Sequence, residues 1–237
     1  MGAMSSATDR PRILALETSG GRCAAALLVG AVLREREVVA PRGHAELLLP
    51  MVEQLLAEAG LALADCDAIA FGRGPGSFTG VRIATSVAQG LAYGAALPLT
   101  PVSGLAALAR GAWRRSGATR VYAALDARMD EVYLAAYAID ADGEPRAVIA
   151  EQLLPPGSAP EVEGAGWDGI GTGFGAHGVV LAARLGAALR RTEPTAEPSA
   201  VDVAALGALA FGRGETVAAR DAAPVYLRDR VANTPHS

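Results

Sequence analysis

Apolar positions near the start of the chain come in short runs. Arg12 to Thr18 (R-I-L-A-L-E-T) is almost continuously apolar and ends in the polar turn Ser19-Gly20-Gly21-Arg22. Cys23 to Val29 and Ala31 to Val39 are two more runs, with glycine at the joints. This pattern predicts an antiparallel meander. The unbroken first run predicts a central strand covered on both faces. From Pro41 to Gly60 the period changes. Leu47, Leu48, Met51, Val52, Leu55, Leu56 and Ala59 recur at three-and-four spacing, which predicts an amphipathic helix stopped by Gly60. Pro50 should kink that helix or restart it. Ala68 to Phe71 reads as a strand, and the turn Gly72-Arg73-Gly74-Pro75-Gly76-Ser77 follows. Ser77 is the expected N-cap of a helix from Phe78 to Gly94. Leu97 to Val102 reads as a strand and Gly104 to Trp113 as a helix.

The second half repeats the plan. Val121 to Asp126 (V-Y-A-A-L-D) is again a short strand ending in an acid. The turn Ala127-Arg128-Met129-Asp130 leads to a strand at Glu131–Ile139, and a third is expected near Ala147 to Leu153. Gly169 to Gly175 should be a glycine-rich turn before a helix from about His177 to Arg190. The loop Glu193 to Pro198 precedes a last helix, Ala200 to Ala210. The expectation is an α/β chain of two related lobes, each a mixed sheet with helices. The divisions are a lead-in over residues 1–11, a first lobe over 12–102, and a second lobe with the tail over 103–237.

Composition narrows the chemistry. Of 237 residues, 51% are hydrophobic and 19% charged, enough apolar material for a buried core. No apolar run approaches the ~20 residues a spanning helix needs, and Met1 to Pro11 has no apolar core of a secretory signal. Cys23 and Cys66 alone build neither a disulfide framework nor a zinc site. A cytoplasmic location without membrane contact is expected. The formal net charge is −4, so any nucleic-acid contact must be a local patch. All 21 basic residues are arginine. Without lysine there is no Walker-type loop, Schiff base or kinase-type lysine.

Several features could carry chemistry, and each has a structural alternative. Glycines from Gly72 to Gly80 could present N–H groups to a phosphate, or simply make a tight strand-to-helix turn. Gly80, Ala84, Ala88 and Ala92 form a small-residue row at i, i+4 spacing, suited either to a tightly packed internal helix or to a partner helix. Glu17, Thr18 and Ser19 at the first hairpin, with Asp126 at the second, could share a cleft and hold Mg²⁺ through water, or serve ordinary turns. His44 and His177 have no helical metal partner and fit helix-terminus roles. Asp65 and Asp67 flank Cys66 and should keep it from being a reactive thiolate. Arg110, Arg114, Arg115 and Arg120 gather around Trp113, either as an RNA-touching patch or as a solvated helix end.

The run Gly74 to Ala92 (G-P-G-S-F-T-G-V-R-I-A-T-S-V-A-Q-G-L-A) resembles the signature of the TsaB (YeaZ) family. The opening I-L-A-L-E-T-S, the stretch H-A-E-L-L-L-P-M from His44 to Met51, Leu125-Asp126-Ala127-Arg128 and the closing P-V-Y-L-R resemble the family in the same order. The resemblance spans Ile13 to Arg228. It implies an actin-like ATPase (ASKHA, ribonuclease H-like) fold. The related catalytic subunit, TsaD, continues V-N-H-x-x-x-H, with metal-binding histidines. Here Gly104 and Leu108 stand at those places, so no metal and no catalytic residue is expected. The resemblance therefore implies a non-catalytic activator of TsaD for threonylcarbamoylation of adenosine 37 in ANN-decoding tRNAs. It also implies TsaE, a P-loop ATPase, as a further partner, homodimers in the absence of TsaD, and tRNA contact through the complex. The expected interface is His44, Leu47, Leu48, Met51, Gly80, Ala84, Ala88 and Ala92. Glu17, Thr18, Ser19, Asp126, Gly171 and Gly173 would form a residual nucleotide cleft, with ATP or ADP and Mg²⁺ bound only inside the complex. The alternative reading is an enzyme acting alone, an actin-like-fold kinase or a metallopeptidase-like protein.

Overall fold

The computed structural model describes residues 11–39 and 43–228. The lead-in before residue 11, the expected helix start at Pro41 and the tail beyond Arg228 lie outside the described residues. The meander is present as β1 (Ile13–Glu17), β2 (Arg22–Val29) and β3 (Val32–Val39). β4 (Ala68–Gly72) and β5 (Leu99–Val102) complete one sheet, in the order β3-β2-β1-β4-β5. β1 runs antiparallel to β2 and parallel to β4, and every residue of β1 is buried. The continuous apolar run thus marks a strand covered on both faces.

The second sheet contains β6 (Arg120–Arg128), β7 (Glu131–Ile139), β8 (Pro145–Leu154), β9 (Trp167–Ile170) and β10 (Leu189–Glu193). Read as β8-β7-β6-β9-β10, its order repeats that of the first sheet. The pairing senses repeat too, antiparallel for β6–β7 and parallel for β6–β9 and β9–β10. The chain is therefore an α/β protein with two mixed sheets of one topology.

Helices cover both sheets. α1 (His44–Ala59) and α2 (Phe78–Ala95) share a cluster with Leu14, Leu16, Leu27, Ile69 and Phe71. α3 (Gly104–Ser116) packs through Leu105, Leu108 and Ala112 on Val121, Ala123 and Ala135 of the second sheet. The other face of that sheet takes Phe174, Leu181 and Leu185 of α4 (Thr172–Leu185). α5 (Ala200–Gly212) carries the chain back to the first sheet, where Ala200, Val203 and Ala204 meet Ile13, Ala15 and Ala70. Val217 then pairs with Leu99 of β5. The end of the chain thus packs on the first lobe, which corrects the division at residues 102/103.

Three local expectations need correction. Pro50 neither kinks nor restarts α1. It sits inside the helix on an exposed position, so the Glu46 carbonyl it cannot bond is left to water. The helix expected from His177 begins earlier, at Thr172, with a local departure from helical geometry at His177 itself. Leu189 and Arg190, assigned to that helix, belong to β10. β9 and β10 give little signal because W-D-G-I and L-R-R-T-E lack the apolar alternation that marks a strand.

Candidate functional site

The two hairpins face each other across a cleft of about 680 Å³. One wall is the β1–β2 turn, Ser19, Gly20 and Gly21, with Gly76, Ser77 and Phe78 beside it. The other is Asp126, Ala127 and Arg128 from the β6–β7 turn, with Thr172 at the start of α4. Glu197, Tyr226 and Arg228 close the remaining sides.

The glycine-rich turn is shaped by how closely the first hairpin approaches it. Ser77 N–H donates to the Ser19 carbonyl at 2.8 Å, and Thr18 Oγ1 donates to the Gly80 carbonyl at 2.7 Å. A Cβ at Gly80 would fall on the Thr18 carbonyl, and one at Gly76 would come within 2.7 Å of Ser19 Cβ. These glycines are where backbone passes backbone. Ser77 caps α2 as expected, its Oγ accepting from Gly80 N–H at 3.4 Å.

Of the expected cleft residues, Ser19 and Asp126 do line the cavity. Glu17 and Thr18 lie behind it, 2% and 0% exposed. The Glu17 carboxylate accepts from Ser19 N–H at 2.5 Å, while its Oε2 lies over Gly72 with no hydrogen-bond partner. Burial pushes the Glu17 carboxyl above its ordinary pKa, helped by the nearby Glu197 charge. Gly171 and Gly173 pack against Ala124 of β6 rather than opening to the cleft. Thr172 between them does reach it, and its Oγ1 accepts from Asp126 N–H at 3.1 Å.

Charge in the cleft is already balanced from within. Asp126 pairs with Arg128 at 3.0 Å and lies 3.8 Å from His177 Nε2. Glu197 was not singled out by its sequence context, yet its Oε1 accepts from Gly21 N–H at 2.9 Å. It sits in the Pro-rich loop before α5, and only the return of the chain to the first lobe brings it here. Arg228 bonds Glu131 and the Ala127 carbonyl, fixing the tail to the second hairpin. Arg73 is paired through both terminal guanidinium nitrogens with Glu151 of β8, at 3.2 Å each. Arg82 stacks on Phe78 at 3.7 Å and donates to Tyr226 Oη at 2.8 Å.

The expected interface residues divide by helix face. Ala84, Ala88 and Ala92 are 0–1% exposed and Gly80 is buried, because this row packs on the chain's own sheet. Leu48 is also fully buried, and His44 nearly so. These positions are core, which corrects their assignment to a partner surface. Leu47 and Met51 are half-buried at the edge of the cluster. The outward face of α2 forms a shallow groove with α1, lined by Ala45, Phe78, Arg82, Ile83, Ser86 and Val87.

Cys23 and Cys66 are free and buried, and burial pushes both thiols up to about 11. Asp67 and Asp65 add to the shift at Cys66. Among the described residues no three His, Cys, Asp or Glu side chains are placed to hold a metal, and no helix is long and apolar enough to cross a membrane. Gly104 and Leu108 lie buried on α3.

A family model described as "TsaD: tRNA N6-adenosine threonylcarbamoyltransferase" matches residues 37–163. The tRNA threonylcarbamoyladenosine biosynthesis protein TsaB of Escherichia coli K12 is 44% identical over 225 residues, covering 93% of this chain and 96% of that protein. Its counterpart from Haemophilus influenzae is 38% identical over 227 residues, covering 92% and 94%. The solved structure of YeaZ from Pseudomonas aeruginosa superimposes with a TM-score of 0.85 at 47% identity, covering 92% of this chain and all of that one. With end-to-end similarity in both sequence and structure, the chain belongs to the TsaB/YeaZ family.

Proposed function

We propose that this chain is a non-catalytic subunit that binds and activates a TsaD transferase for N6-threonylcarbamoylation of adenosine 37 in tRNA. The observation that carries the reading is the 44% identity to a TsaB over almost the whole of both chains. The repeated sheet topology supports an actin-like, two-lobed ancestry. Gly104 and Leu108, at the places of the transferase's metal histidines, have no side chain able to ligate. The partner surface is the groove between α1 and α2, with Ala45, Ile83 and Val87 among its apolar lining. Without the transferase, the same surface pairs two copies of this chain. TsaE joins the complex, ATP or ADP and Mg²⁺ bind only within it, and tRNA is met through it, in the cytoplasm.

Reconstitution tests this reading. TsaD from the same organism, threonylcarbamoyl-adenylate and an unmodified tRNA are combined with and without this chain. Modification should need TsaD and rise strongly when the chain is added, and the chain alone should modify nothing. No stimulation, together with no co-elution with TsaD, would overturn the proposal. Phosphoryl transfer or peptide cleavage by the isolated chain would favour an enzyme acting alone.

A further inference from the structure

The far end of the second sheet from the cleft carries an unusual arrangement of charge. Asp168, in the middle of β9, is 0% exposed. Arg190 binds it through two bonds, Nε to Oδ1 at 2.9 Å and a terminal nitrogen to Oδ2 at 2.8 Å. Arg191 binds the same carboxylate, Nε to Oδ2 at 2.9 Å, and also donates to Ser116 Oγ at the end of α3. Successive residues of a regular strand point to opposite faces. Here the β9–β10 register shifts between Leu189 and Arg191, and that irregularity lets neighbouring arginines turn onto one acid. Further along β10, Glu193 pairs separately with Arg115 at 3.1 Å.

Two guanidiniums on one buried carboxylate leave one positive charge in excess, held in a fixed geometry. The two arginine side chains remain 56% and 48% exposed while they hold the buried acid. Charged residues on an edge strand also discourage strand-to-strand aggregation, but that role needs neither a shared buried acid nor a register shift. Asp168 is level with Val121 of β6, five residues before Asp126, or about 17 Å from the cleft at ~3.3 Å per residue. The cluster lies on an open strand edge rather than in a cavity, which suits an extended polyanion better than a small enclosed ion. A guanidinium nitrogen makes a charge-assisted hydrogen bond to a phosphate oxygen.

We infer that Arg190 and Arg191, oriented by Asp168, form a docking point for the phosphodiester backbone of RNA. The inference rests on the proposed role in tRNA modification and assigns this chain a direct contact with the substrate.

The test is the salt dependence of binding to an unmodified tRNA transcript, measured for the chain alone and for its complex with TsaD. Arg190→Gln and Arg191→Gln each leave Asp168 one guanidinium. Each should lower the slope of log affinity against log salt by about 0.7–0.9, the loss of one phosphate contact. Ser116→Glu touches neither arginine nor Asp168 by deletion. It places an acid beside Arg191 and should lower the slope similarly, which settles the matter if a glutamine variant fails to fold. Slopes equal to wild type in folded variants, alone and in the complex, would overturn the inference, as would an acidic protein competing where tRNA does not bind. A lowered slope in a chain that does not bind TsaD would leave the RNA contact standing and reject the proposed activator role.

Discussion

At the scale of single residues, burial decides what the acids and glycines do. Glu17 was a candidate for metal or nucleotide chemistry, yet it sits behind the hairpin with one oxygen unpartnered. Its folded pKa lies above the ordinary 4.5. A carboxyl raised in this way favours the folded state fully at low pH and loses that contribution as pH rises through its folded pKa. Glu17→Gln removes the ionisation, so the variant should be at least as stable as wild type at pH 7. The difference should vanish towards pH 4. A glutamine variant less stable than wild type at pH 7 would contradict the reading that burial raises the Glu17 carboxyl. Glycines separate as clearly. A methyl at Gly80 would collide with the Thr18 carbonyl, whereas Gly90, in the same helix, has nothing within 4 Å. Gly80→Ala should cost roughly 2–4 kcal/mol through backbone displacement. Gly90→Ala should gain about 0.5–1 kcal/mol from helix propensity. Denaturant unfolding of the two variants checks the contrast.

At the scale of elements, α2 shows that a small-residue row identifies close packing but not the partner in it. Ala88 and Ala92 lie against their own sheet, where Leu14, Ile69 and Phe71 fill the volume, and Ala84 is buried with them. Ala88→Glu would bury an unpaired charge and should unfold the first lobe, at a cost of several kcal/mol. The opposite face behaves differently. Ser86 is exposed in the groove with Ile83 and Val87. Ser86→Arg should leave the unfolding free energy within about 0.5 kcal/mol of wild type, as surface changes do, and abolish co-elution with TsaD. Retained co-elution would place the partner elsewhere. Both variants together discriminate folding from association, which neither does alone.

At the scale of the whole molecule, the cleft is arranged to be filled by the chain's own charges. Glu197 occupies the Gly21 N–H, Asp126 holds Arg128, and Arg228 is bound to Glu131. Arg73, the cation of the glycine-rich turn, is drawn away to Glu151 in the second sheet. A nucleotide polyphosphate would have to displace Glu197 and would find few free cations. Calorimetric titration of the isolated chain with MgATP should therefore show no micromolar binding. Glu197→Gln should strengthen whatever residual binding exists, since it removes a negative charge from the hairpin donors. Micromolar affinity in the wild-type chain would reject this view of the cleft.

What the sequence determined by itself was set by periodicity and by local steric rules. The apolar run Ile13 to Leu16, the three-and-four spacing after Leu47, the Ser77 cap and the matching hairpins each follow from contacts between near neighbours in the chain. The family was legible too, because its signature run carries Gly76 and Gly80, where a side chain would collide with the first hairpin. The tertiary structure decided the rest. β10 pairs in parallel with β9 although its own pattern is polar, and Asp168 of β9 binds Arg190 and Arg191 across that pairing. α5 and Glu197 join the first lobe because the chain returns there after the second sheet is built. The inward face of α2 and the burial of Glu17 depend on which surfaces meet, and those meetings join residues far apart in sequence. Periodicity along one segment fixes that a face is apolar or small; only the assembled layers fix what that face touches.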